Sequence, residues 1–182
     1  QRYYNYGRVF FHGRIRLKEV AQMKLQTLLR GLEILQLHAD DQLEITGVQY
    51  DSRQVTAGDL FVAVSGFQTD GHKYIEKAAQ SGAVCTVCER KSETDIPYVL
   101  VPDARAALAV LGANWYGHPA DSMCMIGITG TNGKTTSTYL LKHILEKAVG
   151  AKVGLIGTIQ NMIGERVLHT ERTTPESIEL QK

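Results

Sequence analysis

"ITGTNGKTTS", Ile128 to Ser137, is the stretch on which the reading of this chain turns. It sets Gly130 and Gly133 ahead of Lys134 and the hydroxyls of Thr135 and Thr136. Glycines let bare backbone approach an anion, successive N–H groups line a nest around it, and a helix starting there adds its dipole. A lysine at the nest reaches outer phosphates, and the next hydroxyl stands where phosphate-binding loops hold magnesium. The usual P-loop spacing asks for glycine six residues before the lysine. Here that position is Ile128, so the spacing departs from the rule while the physical requirements survive.

The flanks fit such a loop. "MCMIGI", Met123 to Ile128, is apolar enough for a strand buried on both faces. Leu140, Leu141, Ile144, Leu145 and Ala148 predict a helix ending at Gly150, and "KVGLIG" predicts a second buried strand. Strand, glycine loop, helix and strand spell the first βαβ unit of a parallel sheet. "QNMIGERVL" predicts a hairpin around Gly164, and "TTPES" a helix with Thr174 at the N-cap and Pro175 at N1. Two parallel strands leave an edge and a face uncovered, so the chain is expected to be a fragment with an artificial end at Lys182.

Upstream, Leu25, Leu28, Leu29 and Leu32 fall at helical spacing. Leu43, Ile45, Val48 and Tyr50 alternate as in a strand, and Asp59 to Val64 predicts another, with Asp59 itself expected in a turn. A helix is expected over 74–81, stopped by Gly82, then strands in "AVCTVC" and "YVLV". Between Asp103, the expected N-cap, and Tyr116, Ala106, Ala107, Val110, Leu111 and Ala113 form the expected apolar face. Gly117 and Pro119 in "YGHPADS" mark a domain boundary.

Composition narrows the class. With 182 residues the chain makes one large or two small domains, and its apolar and charged contents are those of globular proteins. No apolar run reaches membrane-spanning length, and a net charge of +1 leaves no footprint for nucleic acid or an anionic membrane. Residues 1–22 nevertheless carry +4, against −3 for the remainder. That head lacks the apolar core of a secretory signal. Met23 opens the first helical pattern, and Lys18-Glu19-Val20 can be encoded by a ribosome-binding sequence, so residues 1–22 are expected to be translated leader or a disordered extension. Cys85 and Cys88 sit three apart in a strand and point to opposite faces, which favours buried structural thiols over a metal or redox pair. Three cysteines without a signal segment suit a reducing cytoplasm. His72, His118 and His143 show no metal spacing.

"GITGTNGKTT" resembles the ATP-binding signature of the Mur ligases, ATP-dependent amide-forming enzymes of peptidoglycan precursor synthesis, whose loop shares the shortened spacing. "DSRQVTAGDLFVAVSGFQTDGHKYI" is similar to the N-terminal UDP-binding domain of the members that add the third residue and the terminal dipeptide. "GLIGTI" with "TERTTPES" is similar to the member adding the third residue. The resemblance implies an α/β fold: a small mixed-sheet UDP-binding domain over 23–118, then the start of a Rossmann-like, parallel-sheet ATP-binding domain over 119–182. It implies ATP and Mg²⁺ held by Gly130, Thr131, Asn132, Gly133, Lys134, Thr135 and Thr136, with Lys134 on the phosphates and Thr135 near the metal. It places Tyr50 and Ser52 at the uridine end of the substrate, Phe67, Gln68 and Thr69 in a loop closing over UDP, and Thr173 and Thr174 on the muramoyl peptide. Arg172 departs from the asparagine common before that pair.

The implied reaction joins a diamino acid, meso-diaminopimelate favoured over L-lysine, to UDP-N-acetylmuramoyl-L-alanyl-D-glutamate through an acyl phosphate. The expected protein is cytoplasmic, bound to neither nucleic acid nor membrane, and monomeric. The family's carbamylated lysine, further metal ligands and C-terminal domain match nothing in this chain, so these residues alone are expected to lack ligase activity. The rival readings are the sibling adding D-Ala-D-Ala, the folate polyglutamate ligase and a non-catalytic nucleotide-binding module. From spacing alone, Asp51-Ser52-Arg53 also fits an Asx turn with a surface ion pair, Phe67 a core position, and Thr173-Thr174 a helix cap.

Overall fold

A computed structural model describes residues 22–66, 69–168 and 175–182. The expectations for residues 1–21, Phe67, Gln68, Arg172, Thr173 and Thr174 therefore lie outside the described residues. Met23–Lys24 (β1) and the helical turn Leu25–Leu28 (α1) lead to Gln36–His38 (β2), Glu44–Ile45 (β3), Gly47–Gln49 (β4) and Asp59–Val62 (β5). A 3-10 turn, Gly71–Tyr74, runs into Ile75–Gln80 (α2), followed by Cys85–Cys88 (β6), Tyr98–Leu100 (β7) and Ala104–Tyr116 (α3). Lys134–Ile144 (α4) continues as a π-helical turn, Leu145–Val149, before Gly154–Leu155 (β8), Asn161–Ile163 (β9), Arg166–Leu168 (β10) and Ser177–Gln181 (α5).

The central sheet has the order β2-β7-β6-β5-β4. β4, β5, β6 and β7 are parallel, and β2 adds an antiparallel edge. Every residue of β5 and β6 is buried, as strands covered on both faces require. Period-two alternation sorts them. Leu60, Val62, Cys85 and Val87 join α1, α3 and Ile178 in one core, whereas Phe61, Ala63 and Cys88 join α2, Val55 and Tyr98 in the other. The two thiols thus face away from each other, as their spacing in a strand demands.

α3 begins as its sequence predicts. The Asp103 carboxylate accepts from the N–H groups of Arg105 (2.8 Å) and Ala106 (2.9 Å), a cap worth about 1 kcal/mol. Its buried face is Ala104, Ala107, Leu108, Leu111 and Gly112, rotated from the predicted one, and Ala106 is exposed. Leu108 belongs to the buried face, whereas Val110 and Ala113 are only half-buried, so the packed stripe lies along 104, 107, 108 and 111. Asp59 is no turn residue but the buried start of β5, its carboxylate accepting from the N–H (2.8 Å) and hydroxyl (3.0 Å) of Thr56. The strand expected through Leu43–Tyr50 divides at Thr46, since β3 pairs with β1 and β4 with β5. The first helix is shorter than Leu32 would allow, and Gly31 sits beyond it at φ 75°.

Beyond Tyr116 the differences are larger. "MCMIGI" forms no strand, and Met123, Met125 and Ile126 are exposed. Of "KVGLIG" only β8 is a strand, and it pairs antiparallel with β9. A strand buried on both faces takes paired neighbours at its edges and helices above and below, and the described residues supply neither to 123–128. The expected hairpin is present as β9–β10, with Gly164 at φ 58° in its turn. The last helix starts at an N-cap of Glu176, not Thr174, and Glu176 and Glu179 form a reciprocal capping box.

Burial pushes the Cys85 thiol up to about 12 and that of Cys88 up to about 11, whereas Cys124 is exposed. Titration of the native chain with an aromatic disulfide at pH 8 is expected to modify Cys124 and leave the other two until denaturant is added, because the thiolate is the reacting form. Rapid native modification of Cys85 or Cys88 would contradict their place in the two cores.

Candidate functional site

The glycine loop keeps its local geometry. Gly133 caps α4 at φ 77°, and Gly130 stands at φ 149°. A Cβ at Gly133 would meet nothing within 4 Å, so its left-handed backbone, not crowding, selects glycine there. Residues 129–134 are exposed, and no acidic side chain lies in the first turn of α4. Among the described residues, the N–H groups of Thr131, Asn132 and Gly133 and the hydroxyls of Thr135 and Thr136 meet no protein acceptor. Lys134 folds over the loop, its Nζ donating to the carbonyl oxygens of Gly130 (2.6 Å) and Thr131 (3.4 Å). An ammonium, unspent amides and a helix N-terminus converge on solvent, which is the donor set for a polyphosphate and, through Thr135, for its divalent cation.

A second cluster gathers at the carboxyl ends of the parallel strands, where open α/β sheets bind ligands. Tyr50 to Arg53 follow β4, the 63–70 loop follows β5, Glu89 and Arg90 follow β6, and α3 follows β7. Ser52 is buried in the turn after β4. Asp51 makes the Asx turn that its spacing allows, accepting from the N–H of Arg53 at 3.0 Å. The Arg53 guanidinium also pairs with it, and that contact leads in holding the Asp51 carboxyl below its ordinary value. Tyr50 lies on the first core and donates its hydroxyl to Glu179 of α5 at 2.6 Å.

The loop around Phe67 and Gln68 has a closed stem: Ser65 bridges Asp70, and the N–H of Gly66 donates to the Thr69 carbonyl at 2.9 Å. Thr69 Oγ1 lies 3.2 Å from the Tyr74 hydroxyl. Beneath the stem is a network that the residue pattern did not disclose. The N–H of Glu89 donates to His72 Nε2 at 3.0 Å, so that nitrogen carries no proton, and Nδ1–H donates to Asp70 at 2.7 Å. The Glu89 carboxylate accepts from the Ser65 hydroxyl and from the N–H of Ala104, each at 3.0 Å. Arg90 pairs with the second Asp70 oxygen. One group therefore ties the loop stem to the start of α3. The one signal in sequence was Asp70 two residues before His72, an N-cap for the 3-10 turn, whereas Glu89 and Arg90 depend on strand register. No grouping of His, Cys, Asp and Glu suited to a metal occurs among the described residues, nor any helix long and apolar enough to cross a membrane.

Comparison with known proteins assigns the class. A family described as "Mur ligase family, catalytic domain" matches residues 44–116, and one described as "Mur ligase middle domain" matches 128–182. The chain belongs to the Mur ligase family. It is 48% identical, over 165 residues, to the UDP-N-acetylmuramoyl-L-alanyl-D-glutamate--2,6-diaminopimelate ligase of Clostridium tetani, covering 88% of this chain and 34% of that one. It is 50% identical, with the same coverage, to the enzyme of that name from Clostridium botulinum. The chain thus spans about a third of the length of these curated relatives. Among solved structures, MurF from Acinetobacter baumannii aligns with TM-score 0.56 and 30% identity over 70% of this chain and 28% of its own. A structure of a UDP-N-acetylmuramoyl-L-alanyl-D-glutamate--2,6-diaminopimelate ligase aligns with TM-score 0.65 over 88% of this chain and 32% of its own; at 24% identity it supports the fold.

Asp70 offers a direct check on the network. The N–H of His72, then its ring and Arg90, hold the Asp70 carboxyl well below the ordinary value of 3.8. A depressed carboxyl contributes stability that is present above its unfolded value and lost as pH falls through the folded one. Asp70→Asn is expected to lower the melting temperature at pH 6 by a few degrees, about 1 kcal/mol, and the difference should shrink as pH drops below about 4. A gap between variant and wild type that stays constant to pH 2 would remove Asp70 from this role.

Proposed function

We propose that the protein containing this chain is an ATP-dependent ligase that joins 2,6-diaminopimelate to UDP-N-acetylmuramoyl-L-alanyl-D-glutamate in peptidoglycan precursor synthesis. Mur ligases are ATP-dependent ligases. Two relatives bearing the diaminopimelate name, at 48% and 50% identity over 88% of this chain, favour this member over the dipeptide-adding sibling. The observation that carries the reading is the open loop at 130–136, with unspent amides and a lysine at the N-terminus of an 11-residue helix.

In this reading Gly130 to Thr136 hold the ATP phosphates, Lys134 neutralises the outer ones, and the Thr135 hydroxyl is the ligand this chain offers to Mg²⁺. The cation supplies charge neutralisation between phosphate oxygens. Ser52, Thr69 and the Phe67–Gln68 tip take the UDP end, with the domain divide at 118/119 between the two sites. Thr173 and Thr174 meet the muramoyl peptide. The side-chain carboxylate of the D-glutamate attacks the γ-phosphorus, and the bond to the ADP oxygen breaks. The amine of the diamino acid then attacks the acyl carbon, sheds a proton and expels phosphate. Lys134 contributes by meeting charge that grows on the transferring group, the main resource of phosphoryl-transfer sites.

Lys134→Ala tests this assignment. ATP affinity of the chain, read by calorimetry, is expected to fall by about tenfold or more, and substrate-dependent phosphate release by the complete ligase by about 10²-fold or more. Phosphate release near the wild-type rate would refute it.

A further inference from the structure

α5 has only five residues, too few for a helix that stands alone in water. It belongs to the segment matched by the middle-domain family, yet it packs on α3, which belongs to the other matched segment. Among the described residues, contacts from Ile178, Arg105 and Tyr50 hold it. Ile178 enters the first core against Gly112, where an added Cβ would come within 3.2 Å of the Ile178 Cα. Arg105 Nη1 donates to both Glu176 oxygens, at 2.7 and 2.9 Å. Tyr50 donates to Glu179, whose other oxygen accepts the N–H of Glu176 and closes the capping box.

Two of these residues run against the interests of α3 itself. A glycine inside a helix costs about 1 kcal/mol relative to alanine. A cation in a first turn meets the unfavourable end of the helix dipole, at a cost of several tenths of a kcal/mol. α3 carries Arg105 in its first turn and Gly112 in its interior, and both serve α5. Local rules broken at neighbouring positions, each with a gain on the same partner, mark a selected interface.

We propose that Tyr50, Arg105 and Gly112 are positioning residues that form a seat for α5. The seat fixes the chain immediately after the Thr173–Thr174 pair and so aligns the peptide end of the substrate with its UDP end. This rests on the substrate reading above, and it moves Tyr50 from uridine contact to helix clamp.

The double variant Arg105→Gln, Gly112→Ala of the complete ligase removes the seat while raising the helix propensity of α3. The thermal midpoint is expected to hold within a few degrees, and amide exchange at Glu179 to Gln181 to quicken by about tenfold or more. The Kd for UDP should stay within about twofold, while that for UDP-N-acetylmuramoyl-L-alanyl-D-glutamate rises by about fivefold or more. Arg105→Lys, which keeps the charge but not the paired donors, should fall between. Unchanged exchange overturns the seat. Faster exchange with both affinities lowered alike, or neither lowered, overturns its positioning role. A wild-type complete ligase that binds neither ligand refutes the substrate reading instead, and exchange alone then decides the seat. If the double variant does not fold, Arg105→Gln by itself carries the same comparison at a partly exposed side chain.

Discussion

Burial of β5 and β6 on both faces is the constraint from which the rest of the first region follows. Leu60 and Val62 point into one core, Phe61 and Ala63 into the other, and Cys85 and Cys88 repeat the division on the next strand. A slip of one residue would exchange the two sets and present the small Ala63 where Val62 fills space, so the register is strongly specified. With register fixed, β4 to β7 end at one edge of the sheet, and the chain leaves each into a segment bearing polar residues. Glu89 can reach both Ser65 and Ala104 because the strands before them stop side by side. The polar cluster at the ends of these strands is thus a consequence of core packing carried to its edge.

α3 converts that edge into a surface with a direction. Its start is pinned by Asp103 and by the Glu89 carboxylate on the N–H of Ala104. At its far end Asn114 donates to the carbonyls of Leu28 and Arg30, closing the exit of α1, while its own oxygen accepts from His118. Gly117 and His118 then both take left-handed backbone, at φ 70° and 54°, and turn the chain toward Pro119. A non-glycine residue in that region is uncommon, and histidine is among those that tolerate it. The helix is held at both ends before α5 lands on its middle.

What the sequence disclosed depended on the range of the interaction behind each feature. Strands β5 and β6, the α3 cap at Asp103, the hairpin at Gly164 and the opposed cysteines are set by residues within a turn or two of each other, and all were legible. The glycine loop was legible for the same reason. The His72–Glu89 link and the Tyr50–Glu179 contact were not, since each joins residues that only the fold brings together; Asp59 bonds Thr56 three residues away, but its burial comes from the strands on either side of β5. The α3 face is ambiguous in sequence because the sets 106, 107, 110, 111, 113 and 104, 107, 108, 111, 112 both fit helical spacing, and only packing on the sheet decides between them. "MCMIGI" is the converse: its apolar run specifies a strand, but a strand exists only when other strands accept its N–H and C=O groups.

The loop at 128–137 shows why shape and placement separate. Its shape needs glycine at the left-handed position before α4 and a helix to follow, and both are present although 123–128 forms no strand ahead of the loop. Its placement needs the sheet. Lys134 illustrates the electrostatic state of such a loop, with an ammonium bonded to two of the loop's own carbonyls and three amides turned to water. An arriving polyphosphate exchanges the carbonyl contacts for charged ones, which are stronger, and gives the amides the acceptors they lack. The same anion would gain less from a loop whose amides were already bonded, because each protein hydrogen bond would have to break first. Unspent donors beside a lysine therefore favour the charged ligand over any neutral one of the same size.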